Sequence, residues 1–101
     1  MKKVAKYMRT LEGFRGVAKL FSVSPAMEYE KWNEDSKLIP QSTKFVIVSA
    51  VDAIITGPET YIFPANSRGN IVSWGELEGS YRGGKDHTRA LKNAGYEVEI
   101  A

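Results

Sequence analysis

Seven consecutive residues, Phe45-Val46-Ile47-Val48-Ser49-Ala50-Val51, form an almost unbroken apolar run rich in β-branched side chains. A strand with one wet face alternates polar and apolar residues, so this run predicts a strand buried on both faces. A sheet has to form around it. Lys6 to Leu11 and Val17 to Val23 are further strand-like stretches, and Glu12-Gly13-Phe14-Arg15-Gly16 between them reads as the turn of a hairpin. Ser24-Pro25 is the expected end of the second strand, because proline has no N–H to give a central ladder. Residues 27 to 41 carry a poor pattern and are expected to be a long loop with one helical turn.

After the buried run, Thr56-Gly57-Pro58 marks a turn and Thr60 to Phe63 a return strand closed by Pro64. Asn66-Ser67-Arg68-Gly69-Asn70 is a second turn, with Gly69 suited to positive φ, and Ile71 to Trp74 reads as another short strand. These three strands predict an antiparallel meander. Asp86 is a favoured helix N-cap, Ala90, Leu91 and Ala94 make a narrow apolar stripe, and Gly95-Tyr96 suits a Schellman ending. Glu97-Val98-Glu99-Ile100 alternates as a final strand at the sheet's edge. The expected fold is α+β: an antiparallel sheet of about five or six strands with one C-terminal helix packed on it.

A chain of 101 residues is expected to form a single domain. With no cysteine, disulfides, thiolate catalysis and cysteine-ligated zinc are excluded, and one histidine excludes a multi-histidine metal site. The sequence calls for no cofactor. Apolar runs fall short of a membrane span, and Tyr7, Arg9 and Glu12 interrupt the basic start before a secretory core forms. The expected setting is therefore the cytoplasm, without membrane association. Net charge is +2, and no basic stretch exceeds two residues, so duplex nucleic acid is disfavoured and a small anion favoured.

The segment Gly79-Ser80-Tyr81-Arg82-Gly83-Gly84-Lys85-Asp86 misses the phosphate-binding pattern G-x-x-x-x-G-K-[ST] by its last residue. That position should carry a hydroxyl for magnesium, and Asp86 carries a carboxylate. No buried strand precedes the motif, the following helix spans only about nine residues, and no acidic strand end follows, so an NTPase is excluded. Two readings stay open. Gly83 and Gly84 are either a tight turn that Asp86 then caps, or an anion site where backbone amides meet Arg82 and Lys85. In the second reading Tyr81 stacks or donates a hydrogen bond, and His87 donates to the anion. Trp32, and Phe14 with Arg15 at a hairpin tip, are the candidate contacts for a protein partner. A lone histidine with scattered acids makes no triad, so the chain is expected to be non-enzymatic.

Gly57-Pro58-Glu59-Thr60-Tyr61-Ile62-Phe63-Pro64-Ala65, then Trp74-Gly75-Glu76-Leu77 and Gly79 to Gly84, resembles small proteins encoded by bacteriophages and prophages. Asp86-His87, Ala90-Leu91 and Gly95-Tyr96-Glu97-Val98 extend the likeness over about the C-terminal half. The resemblance implies an accessory protein working in a bacterial host's cytoplasm, in counter-defence or host takeover. Within that setting the residues suggest a binder that sequesters an anionic molecule such as a nucleotide signal. Such a small chain is expected to complete its pocket as a homo-oligomer. The alternative is an inhibitor of a host defence or regulatory protein.

Overall fold

The computed structural model describes residues 3–13, 16–32, 34–53, 57–72, 77 and 79–99, with Trp32 and Ala53 described by their backbone. Strands β1 (Val4–Leu11), β2 (Val17–Trp32), β3 (Leu38–Ala53), β4 (Gly57–Ala65) and β5 (Tyr81–Arg82) pair in succession as an antiparallel meander. Helix α1 (His87–Asn93) then crosses one face of the sheet and delivers β6 (Glu97–Glu99) to the far edge. The order is β5-β4-β3-β2-β1-β6, and the sheet curls into a half-barrel. The fold is thus a mostly antiparallel six-stranded sheet with a short helix of seven residues.

The buried run behaves as its composition predicts. Val46 and Val48 point to the helix side, where they pack with Phe21, Ile62, Ala90, Leu91 and Tyr96. Ile47 points to the opposite side and packs with Leu11, Ala18, Leu20 and Ala65. Asp86 caps α1 as expected, its carboxylate accepting from the Arg89 amide at 3.1 Å. The Tyr96 amide donates to the Leu91 carbonyl and the Gly95 amide to that of Lys92, the paired bonds of a Schellman ending. Gly69 has φ +84° in the expected turn.

Four expectations are corrected. First, β6 runs parallel to β1, with Val4 opposite Glu97 and Lys6 opposite Glu99, so the sheet is mixed. The helix between β5 and β6 carries the chain over the sheet, the kind of crossover that parallel pairing requires.

Second, β2 does not end at Ser24-Pro25. The β2–β3 ladder shifts register between Ser22 and Met27, so Pro25 sits where the ladder is already broken and no donor is needed. Third, residues 27 to 41 are mostly strand rather than a long loop, with a turn at residues 34–36. Met27 opposite Thr43 through Trp32 opposite Leu38 form a two-stranded ribbon that runs past both β1 and β4. Leu38 and Ile39 remain 48% and 37% exposed, and Glu28, Glu30, Lys31 and Pro40 are exposed too. Met27 and Tyr29 reach the helix-side core, while the facing strand from Leu38 to Ser42 is exposed throughout, so the alternation is too short to read.

Fourth, the strand expected over Ile71 to Trp74 is reduced to one bridge, Ala65 opposite Ile71, with Trp74 outside the described residues. The edge of β4 is met instead by the Leu77 amide, which donates to the Ile62 carbonyl, and by Ser80 Oγ, which accepts from the Ile62 amide. Among the described residues, no helix is long and apolar enough to cross a membrane.

Candidate functional site

Strand pairing sorts side chains that are scattered in sequence into rows across the face opposite the helix. Tyr61, Ser49, Ala18 and Leu11 share one row, Phe63, Ile47, Leu20 and Arg9 the next. A shift of register between Tyr7 and Arg9 brings Lys6 and Arg9 onto the same face. The floor of the rows is mostly apolar and buried, and the rim carries Arg9 and Arg68 with Glu12 beside them.

The turn after β4 closes one side of this face and fixes Arg68. Asn66 Oδ1 accepts from the amides of Arg68 at 3.0 Å and Asn70 at 3.1 Å. Arg9 Nη2 donates to the Arg68 carbonyl at 2.6 Å, tying β1 to the turn. Between them opens a cavity of about 1010 Å³ lined by Arg9, Arg68, Asn70, Ser49, Tyr61 and Phe63, among others. The Tyr61 and Phe63 rings lie side by side on its wall, centroids 6.0 Å apart and tilted by 36°. Two guanidiniums, two partly exposed rings and small polar groups suit an anionic ligand that also carries a flat ring.

The residues expected at the glycine motif fall on two sides of the sheet. Tyr81 faces the helix-side core, with the Arg89 guanidinium 5.2 Å above its ring and Gly84 packed at its edge. Thr60 Oγ1 donates to the Gly84 carbonyl at 2.8 Å and accepts from the Asp86 amide at 3.2 Å. The Gly83 amide donates to the Pro58 carbonyl at 2.8 Å. Lys85 Nζ sits 2.5 Å from Asp52 Oδ2.

His87 is half-buried and its Nε2 donates to the Val17 carbonyl at 2.9 Å. Burial, helped by nearby Lys19, holds its ring below the usual histidine pKa, against the opposing influence of that bond and of Asp86. Gly83, Gly84 and Lys85 thus form a turn stitched to β4 and to Asp52, ahead of a capped helix.

Arg82 alone of the set belongs to the face opposite the helix. It pairs across the ladder with Glu59, and its Nε stands 3.6 Å from the Glu59 carboxylate. Glu59 is 5% exposed and also accepts a short hydrogen bond from the Tyr61 hydroxyl. A buried carboxylate therefore links Arg82 to the wall of the cavity. No protein-family model, curated protein or solved structure matches the chain. The site must be read from its own geometry.

Sequence reasoning did not pick out Arg9, Arg68, Tyr61 and Phe63 as a group. Tyr61 and Phe63 are two apart on a strand, so they had to share a face, but nothing local joins them to residues 59 positions apart in the chain. Phe14 and Arg15, and the Trp32 side chain, lie outside the described residues. Among the described residues no group of three or more His, Cys, Asp or Glu side chains is placed to hold a metal ion.

Proposed function

We propose that this protein is a non-catalytic binder of an anionic, ring-bearing small molecule of the nucleotide class, held on the sheet face opposite the helix. The observation that carries this reading is one cavity lined by two guanidiniums and a pair of neighbouring aromatic rings. A planar guanidinium grips phosphate or carboxylate in a fork, and an exposed ring offers a stacking surface. Sequestering a nucleotide signal, in the bacterial-host setting that the phage-type resemblance implies, needs no more chemistry than this.

A calorimetric and thermal-shift screen against mono- and dinucleotides tests the reading. Binding must raise the melting temperature by mass action. Arg68→Ala should weaken the best nucleotide by about tenfold or more, the scale of a lost charged hydrogen bond. Lys85→Ala should leave affinity unchanged. A protein that no nucleotide stabilises sinks the proposal, and one weakened by Lys85→Ala but not by Arg68→Ala moves the site to the glycine turn.

A further inference from the structure

The charges that are well mixed along the chain do not stay mixed in the fold. The face opposite the helix continues past the Phe63–Arg9 row into a third row, Ala65, Phe45, Ser22 and Lys6. Here a second cavity of about 510 Å³ is lined by Lys6, Lys44, Phe45 and Ser22, among others. From the Tyr61 row to this one is four residues along β4, about 14 Å at strand rise. Both ends of the face therefore combine a partly exposed aromatic ring with cations: Tyr61 and Phe63 beside Arg9 and Arg68, Phe45 beside Lys6 and Lys44. Three carboxylates touch the track. Glu12 lines the first cavity, Glu99, opposite Lys6 on β6, lines the second, and buried Glu59 holds the Tyr61 hydroxyl and is matched by Arg82. With Arg82, five cations face three carboxylates, so the strip as a whole is positive.

We propose that this face holds a short single strand of nucleic acid. This rests on the nucleotide reading above and extends it: one nucleotide occupies the first cavity, and the chain of phosphates continues over Arg9 towards Lys6 and Lys44. Rings spaced among cations are what an unpaired strand requires, because each base has a face to stack and each linkage a charge to neutralise. A duplex hides its base faces and offers nothing to Tyr61, Phe63 or Phe45. Stacking distinguishes poorly among bases, so the binding should tolerate changes of sequence.

Fluorescence anisotropy of the full chain with labelled ten-residue oligo-dT and oligo-rU is the test, beside a duplex of the same length and the best mononucleotide. The single strand should bind at least about tenfold more tightly than either competitor. With four phosphates neutralised, its log affinity should fall with log salt at a slope of about −3. Replacing both exposed lysines (Lys6→Ala with Lys44→Ala) should roughly halve that slope and weaken the oligonucleotide about tenfold, leaving the mononucleotide untouched. Arg68→Ala should weaken both. An oligonucleotide bound no more tightly than a mononucleotide, or insensitive to the lysine pair, overturns this inference while the nucleotide reading stands. A duplex bound as well as the single strand also overturns it. If neither mononucleotide nor oligonucleotide binds, both fall together.

Discussion

At the scale of single residues, the glycine motif is explained mostly by packing. Gly79 has φ +103°, and a Cβ there would lie 2.4 Å from the Ala90 carbonyl oxygen and 2.9 Å from Ala94 Cβ. The chain passes so close to α1 that no side chain fits. Gly83 also has positive φ, +97°, but open space around it. Gly79→Ala should therefore cost about 2–5 kcal/mol, strain plus overlap, and Gly83→Ala about 1 kcal/mol, strain alone. Urea unfolding midpoints check the order, and equal costs would contradict it.

His87 supplies a pH dependence. Its ring is held below the usual value of 6.5 in the fold, so just below that pH the unfolded chain binds more protons than the folded one. Stability should drop as pH falls through 6.5 towards the folded pKa, then level off as far as this group is concerned. His87→Gln should lose less stability than the unmodified chain between about pH 7.5 and 5.5. An unchanged difference would show that burial of His87 is not felt.

At the scale of elements, what was legible tracks what is half-buried or locally capped. The Phe45–Val51 run, the Asp86 cap, the Gly95-Tyr96 ending and the Asn66–Asn70 turn each carry a local physical signature, and each forms as read. The β2–β3 ribbon was illegible because its contacts with the core are as few as Met27 and Tyr29, while Glu28, Glu30, Lys31, Leu38 and Ile39 meet water. Strand β5, two residues long, has no periodicity to read. It exists because Glu59 and Thr60 on β4 offer it a paired edge. The parallel placement of β6 was hidden for another reason: alternation in Glu97-Val98-Glu99 fixes which face is buried but not which edge receives the strand.

At the scale of the whole molecule, the face opposite the helix is a product of topology. Lys6, Arg9, Lys44 and Arg68 are separated by as much as most of the chain, and a curled sheet with a shifted register in β1 gathers them around three aromatic rings. Both faces contribute to the core: one packs under the helix, and the other buries Leu11, Ala18, Leu20, Ile47 and Ala65 beneath the rings and cations. The glycine turn, the place where the sequence first suggests a ligand, lies at the β5 edge on the helix side, and Arg82 reaches the opposite face through Glu59. The most direct test is an amide chemical-shift titration of the full chain with the nucleotide that stabilises it best. The account predicts the largest shifts at Ser49, Tyr61, Phe63, Arg68 and Asn70, with Gly83, Gly84 and Lys85 nearly still. Shifts centred on Gly83 to His87, with the rows opposite the helix unmoved, would contradict it.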